Sequence, residues 1–134
     1  MATILLVDDD RMILEFCDRV LAGLSGFYVL QADSGAEALD TAARYPGTID
    51  LLIADIMMPG GIDGVELARR VAVSRPRIQV LLMSGYQSEA FASRDSWQFL
   101  STPFRAGDLV SKVEEILEMR CSAPRRTTSS GRRL

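Results

Sequence analysis

Hydrophobic and polar positions follow two different periods along this chain, and the switches between them mark its elements. Residues 3–7 are apolar almost without interruption, the pattern of a strand covered on both faces, and the run ends at three aspartates, Asp8, Asp9 and Asp10. From there Ile13, Leu14, Cys17, Val20, Leu21 and Leu24 recur at threes and fours, which predicts an amphipathic helix from Asp10 to about Leu24. Cys17 lies in its apolar stripe and reads as a core thiol rather than a reactive one. Gly26 precedes a second strand, Phe27 to Ala32, and Ser34 then stands three residues before Glu37, the capping-box spacing that opens a helix running to about Tyr45. Pro46-Gly47 stops that helix, and residues 50–55 form a third strand closing on Asp55.

Residues 58–64 are a loop by composition, and Val65, Leu67, Ala68, Val71 and Ala72 then predict a third helix. A fourth strand, residues 78–83, ends at Ser84-Gly85. The weakly periodic stretch from Gly85 to Gln98, anchored by Ala90 and Phe91, has room for only a short helix. Phe99-Leu100-Ser101 is a short last strand and Thr102-Pro103-Phe104 a turn, before a final helix defined by Leu109, Val110, Val113, Ile116 and Leu117. Five strands alternating with five helices specify an α/β fold: a doubly wound, open parallel sheet covered on both faces. In such sheets ligands sit beyond the carboxyl ends of the strands, at the switch in strand order. Candidate chemistry is therefore to be sought at strand ends.

Composition narrows what that chemistry can be. The chain's 134 residues fit one domain, residues 1–119, with residues 120–134 a basic Ser/Thr/Arg-rich tail expected to lack order. There is no histidine, which removes Ser-His-Asp and Cys-His relays, His-bearing zinc sites and imidazole general bases. Two cysteines make a poor secretory framework, the amino terminus lacks a signal-like region, and no apolar run approaches the ~20 residues that span a bilayer. A cytoplasmic setting with no membrane contact is expected. All 18 acidic residues lie before residue 120, whereas five of the 15 basic ones lie after Met119. An acidic body of this kind argues against nucleic acid as the domain's own partner.

Asp8 and Asp9 end the first strand and Asp55 ends the third, so neighbouring placement of those strands brings three carboxylates to one edge of the sheet. Crowded carboxylates raise one another's pKa or demand a cation, and an all-oxygen site suits Mg²⁺. The bland reading, that acids at strand ends cap the following helix, fits Asp10 best. Ser84 closes the fourth strand on the same edge, and Gly85 after it removes a side chain that would crowd the carboxylates. A hydroxyl facing an acidic pocket is useful when an anionic oxygen arrives there.

These segments together resemble the receiver domains of two-component response regulators, over nearly all of residues 3–119. Residues 5–10, Leu-Leu-Val-Asp-Asp-Asp, are similar to the acidic end of that family's first strand, and residues 52–59, Leu-Ile-Ala-Asp-Ile-Met-Met-Pro, to its phosphoacceptor segment. Asp63-Gly64, Met83-Ser84-Gly85 and Thr102-Pro103-Phe104 continue the resemblance in order. The resemblance implies a flavodoxin-like sheet of order 2-1-3-4-5. It also implies that Asp55 accepts a phosphoryl group from a phosphohistidine on a histidine kinase or histidine phosphotransfer protein. Mg²⁺ would be held by Asp9, Asp55 and the backbone carbonyl of Met57, with Asp8 acting through a water. Ser84 would bond a phosphoryl oxygen, and Phe99 would be the aromatic that rotates in response, although simple core packing explains Phe99 as well. The Ser-Gly-Tyr and Phe-Leu-x-x-Pro-Phe wording resembles receivers attached to hybrid sensor kinases, so a fused output or effector is a further implied partner.

Three departures stand out. Thr102 replaces the lysine that pairs with the acceptor carboxylate in the family. The only lysine, Lys112, belongs to the last helix, and Arg105 follows the turn rather than entering it. Loss of that cation should raise dependence on Mg²⁺ and weaken coupling to the strand-four loop. The stretch from Ser84 to Thr102 is about one helical turn short, on the face by which such domains pair, so self-association is expected to be a weak homodimer at most. An additional glycine lengthens the loop at Gly60-Gly61. Two rival readings follow. A degenerate receiver would act by protein contact without phosphorylation. A haloacid-dehalogenase-like phosphatase is suggested by Asp8-x-Asp10, but that family needs a separate lysine and a downstream acidic pair. A receiver is a signalling module rather than an enzyme acting on a separate substrate.

Overall fold

The computed structural model describes residues 2–24, 26–85 and 97–122, with side chains to residue 118. Its elements run β1 (Ala2–Val7), α1 (Arg11–Ala22), β2 (Phe27–Ala32), α2 (Gly35–Arg44), β3 (Leu51–Asp55), α3 (Gly64–Ser74), β4 (Gln79–Ser84), β5 (Gln98–Ser101) and α4 (Ala106–Ser122). The five strands are parallel and lie in the order β2-β1-β3-β4-β5, the doubly wound, flavodoxin-like arrangement. The short helix expected between Gly85 and Gln98, with Ala90 and Phe91, lies outside the described residues, as does the tail beyond Ser122. Four helices are therefore present among the described residues.

Strand alternation divides the core in two. Leu5, Val7, Leu52, Ala54, Val80 and Leu82 point to one face, where they pack against Ala38 and Ala42 of α2 and Leu67, Ala68 and Val71 of α3. Their neighbours Ile4, Leu6, Leu51, Ile53, Leu81 and Met83 point to the other, against Leu14, Cys17 and Leu21 of α1 and Leu109, Val113 and Ile116 of α4. Burial on both faces is why these strands read as continuous apolar runs rather than as alternating ones. Each fully buried leucine contributes roughly 2 kcal/mol of transfer free energy, so the three central strands are the most firmly held part of the molecule.

Helix starts follow the chain's own signals. Asp10 caps α1, its Oδ1 accepting from the Met12 N–H at 3.0 Å. Ser34 caps α2 by accepting from the Glu37 N–H at 3.1 Å, and Glu37 reaches back to the Asp33 N–H at 2.7 Å. Asp63 caps α3 by accepting from the Glu66 N–H at 2.8 Å. Arg75, just beyond α3, closes the far end of α2: its guanidinium donates to the carbonyls of Ala42, Tyr45 and Gly47 at 2.8 to 3.3 Å. No helix among the described residues is long and apolar enough to cross a membrane.

Candidate functional site

The strand order places the carboxyl end of β1 between those of β2 and β3, where connections leave toward opposite faces of the sheet. A crevice opens at such a point. Val7 is in register with Ala54, so Asp8 and Asp9 leave β1 directly beside Asp55, the last residue of β3. One carboxylate oxygen from each of Asp8, Asp9 and Asp55 lies within 4.8 Å of the others. The three acids expected to converge do so.

They differ in exposure and support. Asp8 is 1% exposed, and its Oδ1 accepts from the Asp10 N–H at 2.8 Å. Asp55 is half-buried and accepts from the Met57 N–H at 3.1 Å. Asp9 is exposed. Burial pushes the Asp8 carboxyl up from 3.8 to about 6; the Asp10 N–H opposes that rise, and the charges of Asp55, Asp9 and Asp10 add to it. Asp55 is also raised above the usual carboxylate range, first by burial, against the pull of the Met57 N–H, with Asp9 and Asp10 adding repulsion.

No arginine or lysine among the described residues forms an ion pair with this cluster. Arg11 pairs with Asp33 at 3.4 Å, Arg44 with Asp40, Arg69 and Arg70 with Glu66, and Lys112 with Glu115 at 3.8 Å on α4. Arg105 engages Asp108 through its backbone N–H rather than the carboxylates. Among the described residues, each of Asp8 and Asp55 thus has one oxygen satisfied by a backbone N–H, a second without a protein donor, and no ion-pair partner. That donor set, three carboxylates with no basic partner among the described residues, fits a hard divalent cation.

The remaining residues singled out in the sequence take clear positions. Ser84 ends β4 one step beyond Met83, the register partner of Asp55; it is 4% exposed, and its hydroxyl has no partner among the described residues. Its carbonyl accepts from the Thr102 N–H at 2.8 Å and from Thr102 Oγ1 at 3.2 Å. Thr102 therefore turns its hydroxyl to the end of β4. Phe99, on β5, is in register with Leu82 of β4 and is partly buried against the α2/α3 core beside Trp97, a packing position. The Met57 side chain is 70% exposed, while its peptide N–H lies against Asp55. A Cβ at Gly85 would meet only Thr102 Oγ1 at 4.0 Å, so space does not force glycine there.

Gly64 carries more than its place at the end of a loop suggests. A Cβ there would overlap the Asp55 carbonyl oxygen and lie 2.9 Å from Ile56 Cα, and the Gly64 N–H donates to the Ile56 carbonyl at 3.0 Å. The first turn of α3 is thereby seated on the backbone of the central acid. The signal was present: glycine is a poor helix former, so one at the first helical position after an Asp cap calls for a close approach.

Comparison with known proteins agrees with this arrangement. The family model described as "Response regulator receiver domain" matches residues 4–114. The chain is 35% identical over 122 residues to the response regulator receiver protein CpdR of Brucella abortus, a match covering 87% of this chain and 98% of that protein. It is also 35% identical over 121 residues to the sensor kinase CckA of the same organism, where the match covers 87% of this chain but only 13% of the kinase. Among solved structures, the receiver domain from the hybrid histidine kinase CckA superposes with a TM-score of 0.74 at 34% identity, over 87% of this chain and 99% of that one. A response regulator receiver domain protein from Clostridium thermocellum gives a TM-score of 0.80 at 26% identity, over 90% of this chain and 97% of that one.

Proposed function

Because this chain belongs to the response regulator receiver family, we propose that it is a phosphoaccepting module of a two-component system, acting in the cytoplasm. A carboxylate oxygen of Asp55 attacks phosphorus in a phosphohistidine of a partner kinase or phosphotransfer protein. The new O–P bond forms as the N–P bond breaks, and the departing imidazole takes a proton from solvent. A phosphohistidine supplied from outside these residues suits a sequence that has no histidine.

The observation that carries this reading is the meeting of three carboxylate oxygens within 4.8 Å with no basic partner among the described residues. Asp9, Asp55 and the Met57 carbonyl would hold Mg²⁺, with Asp8 behind them through water, and the bound ion supplies the positive charge that lets an anionic acceptor meet an anionic phosphoryl group. Around it the chain's own groups act as positioners. The Met57 N–H fixes the acceptor's orientation, β1 and β3 hold the acids on rigid strand ends, and the hydroxyl of Ser84 donates to a phosphoryl oxygen. Phe99 is a candidate responder only through that hydroxyl, since its side chain packs in the core.

A second reading, a degenerate receiver acting by protein contact, is favoured by one observation: Thr102 brings a hydrogen bond to β4 where the family brings a cation. Beryllofluoride with Mg²⁺ separates the two. A stoichiometric adduct, abolished by Asp55→Asn, is the expected result, and acetyl phosphate should label the same residue. Absence of any adduct in correctly folded protein would overturn the phosphoacceptor reading and leave the degenerate one.

A further inference from the structure

The Ser84 carbonyl receives two hydrogen bonds from one residue: the Thr102 N–H at 2.8 Å and Thr102 Oγ1 at 3.2 Å. The first belongs to the parallel pairing of β4 with β5, which ends with Ser84 opposite Ser101. The second is made by a side chain and is available only to a residue with a short hydroxyl at this position. A lysine there would carry its charge past this carbonyl, and alanine or valine would leave it with one donor. The residue so held is itself almost fully buried, at 4% exposure, and its own hydroxyl has no partner among the described residues. A fixed carbonyl and an unengaged hydroxyl on one residue constitute a donor that reorients by side-chain rotation alone.

We propose that Thr102 is a positioning residue for phosphoryl transfer, its hydroxyl holding the Ser84 backbone so that the Ser84 hydroxyl meets the phosphoryl oxygen without displacement of the strand end. The proposal rests on the phosphoacceptor reading of Asp55. Thr102 acts through Ser84 and makes no hydrogen bond to any of the three carboxylates, so it contributes geometry where the family's lysine contributes charge. Preorganisation of this kind raises affinity by reducing what must be ordered on binding. Because the Thr102 N–H is bonded to the same carbonyl, its exchange rate with solvent reports directly on whether the clamp is closed.

The test uses the full chain with saturating Mg²⁺ and beryllofluoride as the phosphoryl mimic. The half-saturating beryllofluoride concentration is read by fluorine NMR and exchange of the Thr102 amide by proton NMR. Thr102→Val should raise the half-saturating concentration about fivefold, the factor one neutral hydrogen bond is worth, and speed exchange of the residue-102 amide in the adduct. Thr102→Ser should restore both, and Mg²⁺ affinity without beryllofluoride should match wild type in both variants. Thr102→Ala gives the same comparison should the valine variant fail to fold. An adduct in wild type with unchanged affinity in the hydroxyl-free variants, or failure of serine to restore it, overturns the positioning role alone. No adduct in wild type overturns the phosphoacceptor reading, and the positioning role falls with it.

Discussion

Asp8 is a charge the fold keeps out of water, and neutralising it should stabilise the metal-free protein. The side chain is 1% exposed, and burial lifts its pKa from 3.8 to about 6. That interval corresponds to about 3 kcal/mol. Between pH 3.8 and about 6 the folded chain retains a proton that the unfolded chain has released, so stability falls as pH rises through this window. Above it both states are ionised and the whole penalty is present; below it both are protonated and the penalty is gone. Asp8→Asn removes the charge while its carbonyl oxygen still accepts from the Asp10 N–H. In a chelating buffer at pH 8 the variant should gain up to about 3 kcal/mol, which for a domain of this size raises the melting midpoint by about 10 °C. The gain should shrink as pH is lowered and vanish near pH 3.8. Adding Mg²⁺ should narrow the gap at pH 8, since a bound ion stabilises wild type by about 2.7 kcal/mol at a hundredfold excess over its dissociation constant. Urea and thermal unfolding at several pH values measure all of this. No gain at pH 8, or a gain of the same size at pH 4, would refute the argument that desolvation of Asp8 dominates.

Other perturbations test the supports of the site. Gly64→Ala forces a methyl group into the Asp55 backbone and should cost about 2 kcal/mol or more in urea unfolding, with beryllofluoride affinity falling as the acceptor shifts. Arg75→Ala strips three carbonyls of their donor at the end of α2 and should cost about 2 kcal/mol without changing Mg²⁺ affinity, since it lies at the opposite end of the sheet. Cys17 is fully buried with its thiol pushed up to about 12, so in a Cys121→Ser background dithionitrobenzoate should label it at pH 8 only after denaturant is added. Rapid labelling of folded protein would show that α1 opens locally.

The sheet was legible because its strands are buried on both faces. Runs such as Ile4-Leu5-Leu6-Val7 and Leu51-Leu52-Ile53-Ala54 admit few other placements, and the caps Asp10 and Ser34 mark their helices by local chemistry that needs no tertiary context. Ends were less sharp: α1 stops at Ala22 rather than near Leu24, and β5 begins at Gln98 rather than Phe99, since the last turn of a helix and the first residue of an edge strand are set by packing. Convergence of Asp8, Asp9 and Asp55 followed once strand order was supplied by family resemblance, because periodicity alone does not say which strands are neighbours. The seating of Gly64 on Asp55 and the two hydrogen bonds that Thr102 donates to the Ser84 carbonyl were not legible. Both are contacts between segments distant in sequence, and no local pattern encodes them.

The union of Gly64 with the Asp55–Ile56 backbone has an evolutionary corollary. The intervening residues leave the sheet and return to it at two fixed anchors, the Gly64 N–H on the Ile56 carbonyl at one and the Met57 N–H on the Asp55 carboxylate at the other. Within that arch Gly60 adopts a φ of +83°, and added side chains at Gly60 and Gly61 would meet nothing within 4 Å. Insertions or deletions in the arch would change its outline while its footings hold the Asp55 carboxylate in place. Descendants of this sequence thus have a place to vary in length and shape without moving the acidic cluster beside it.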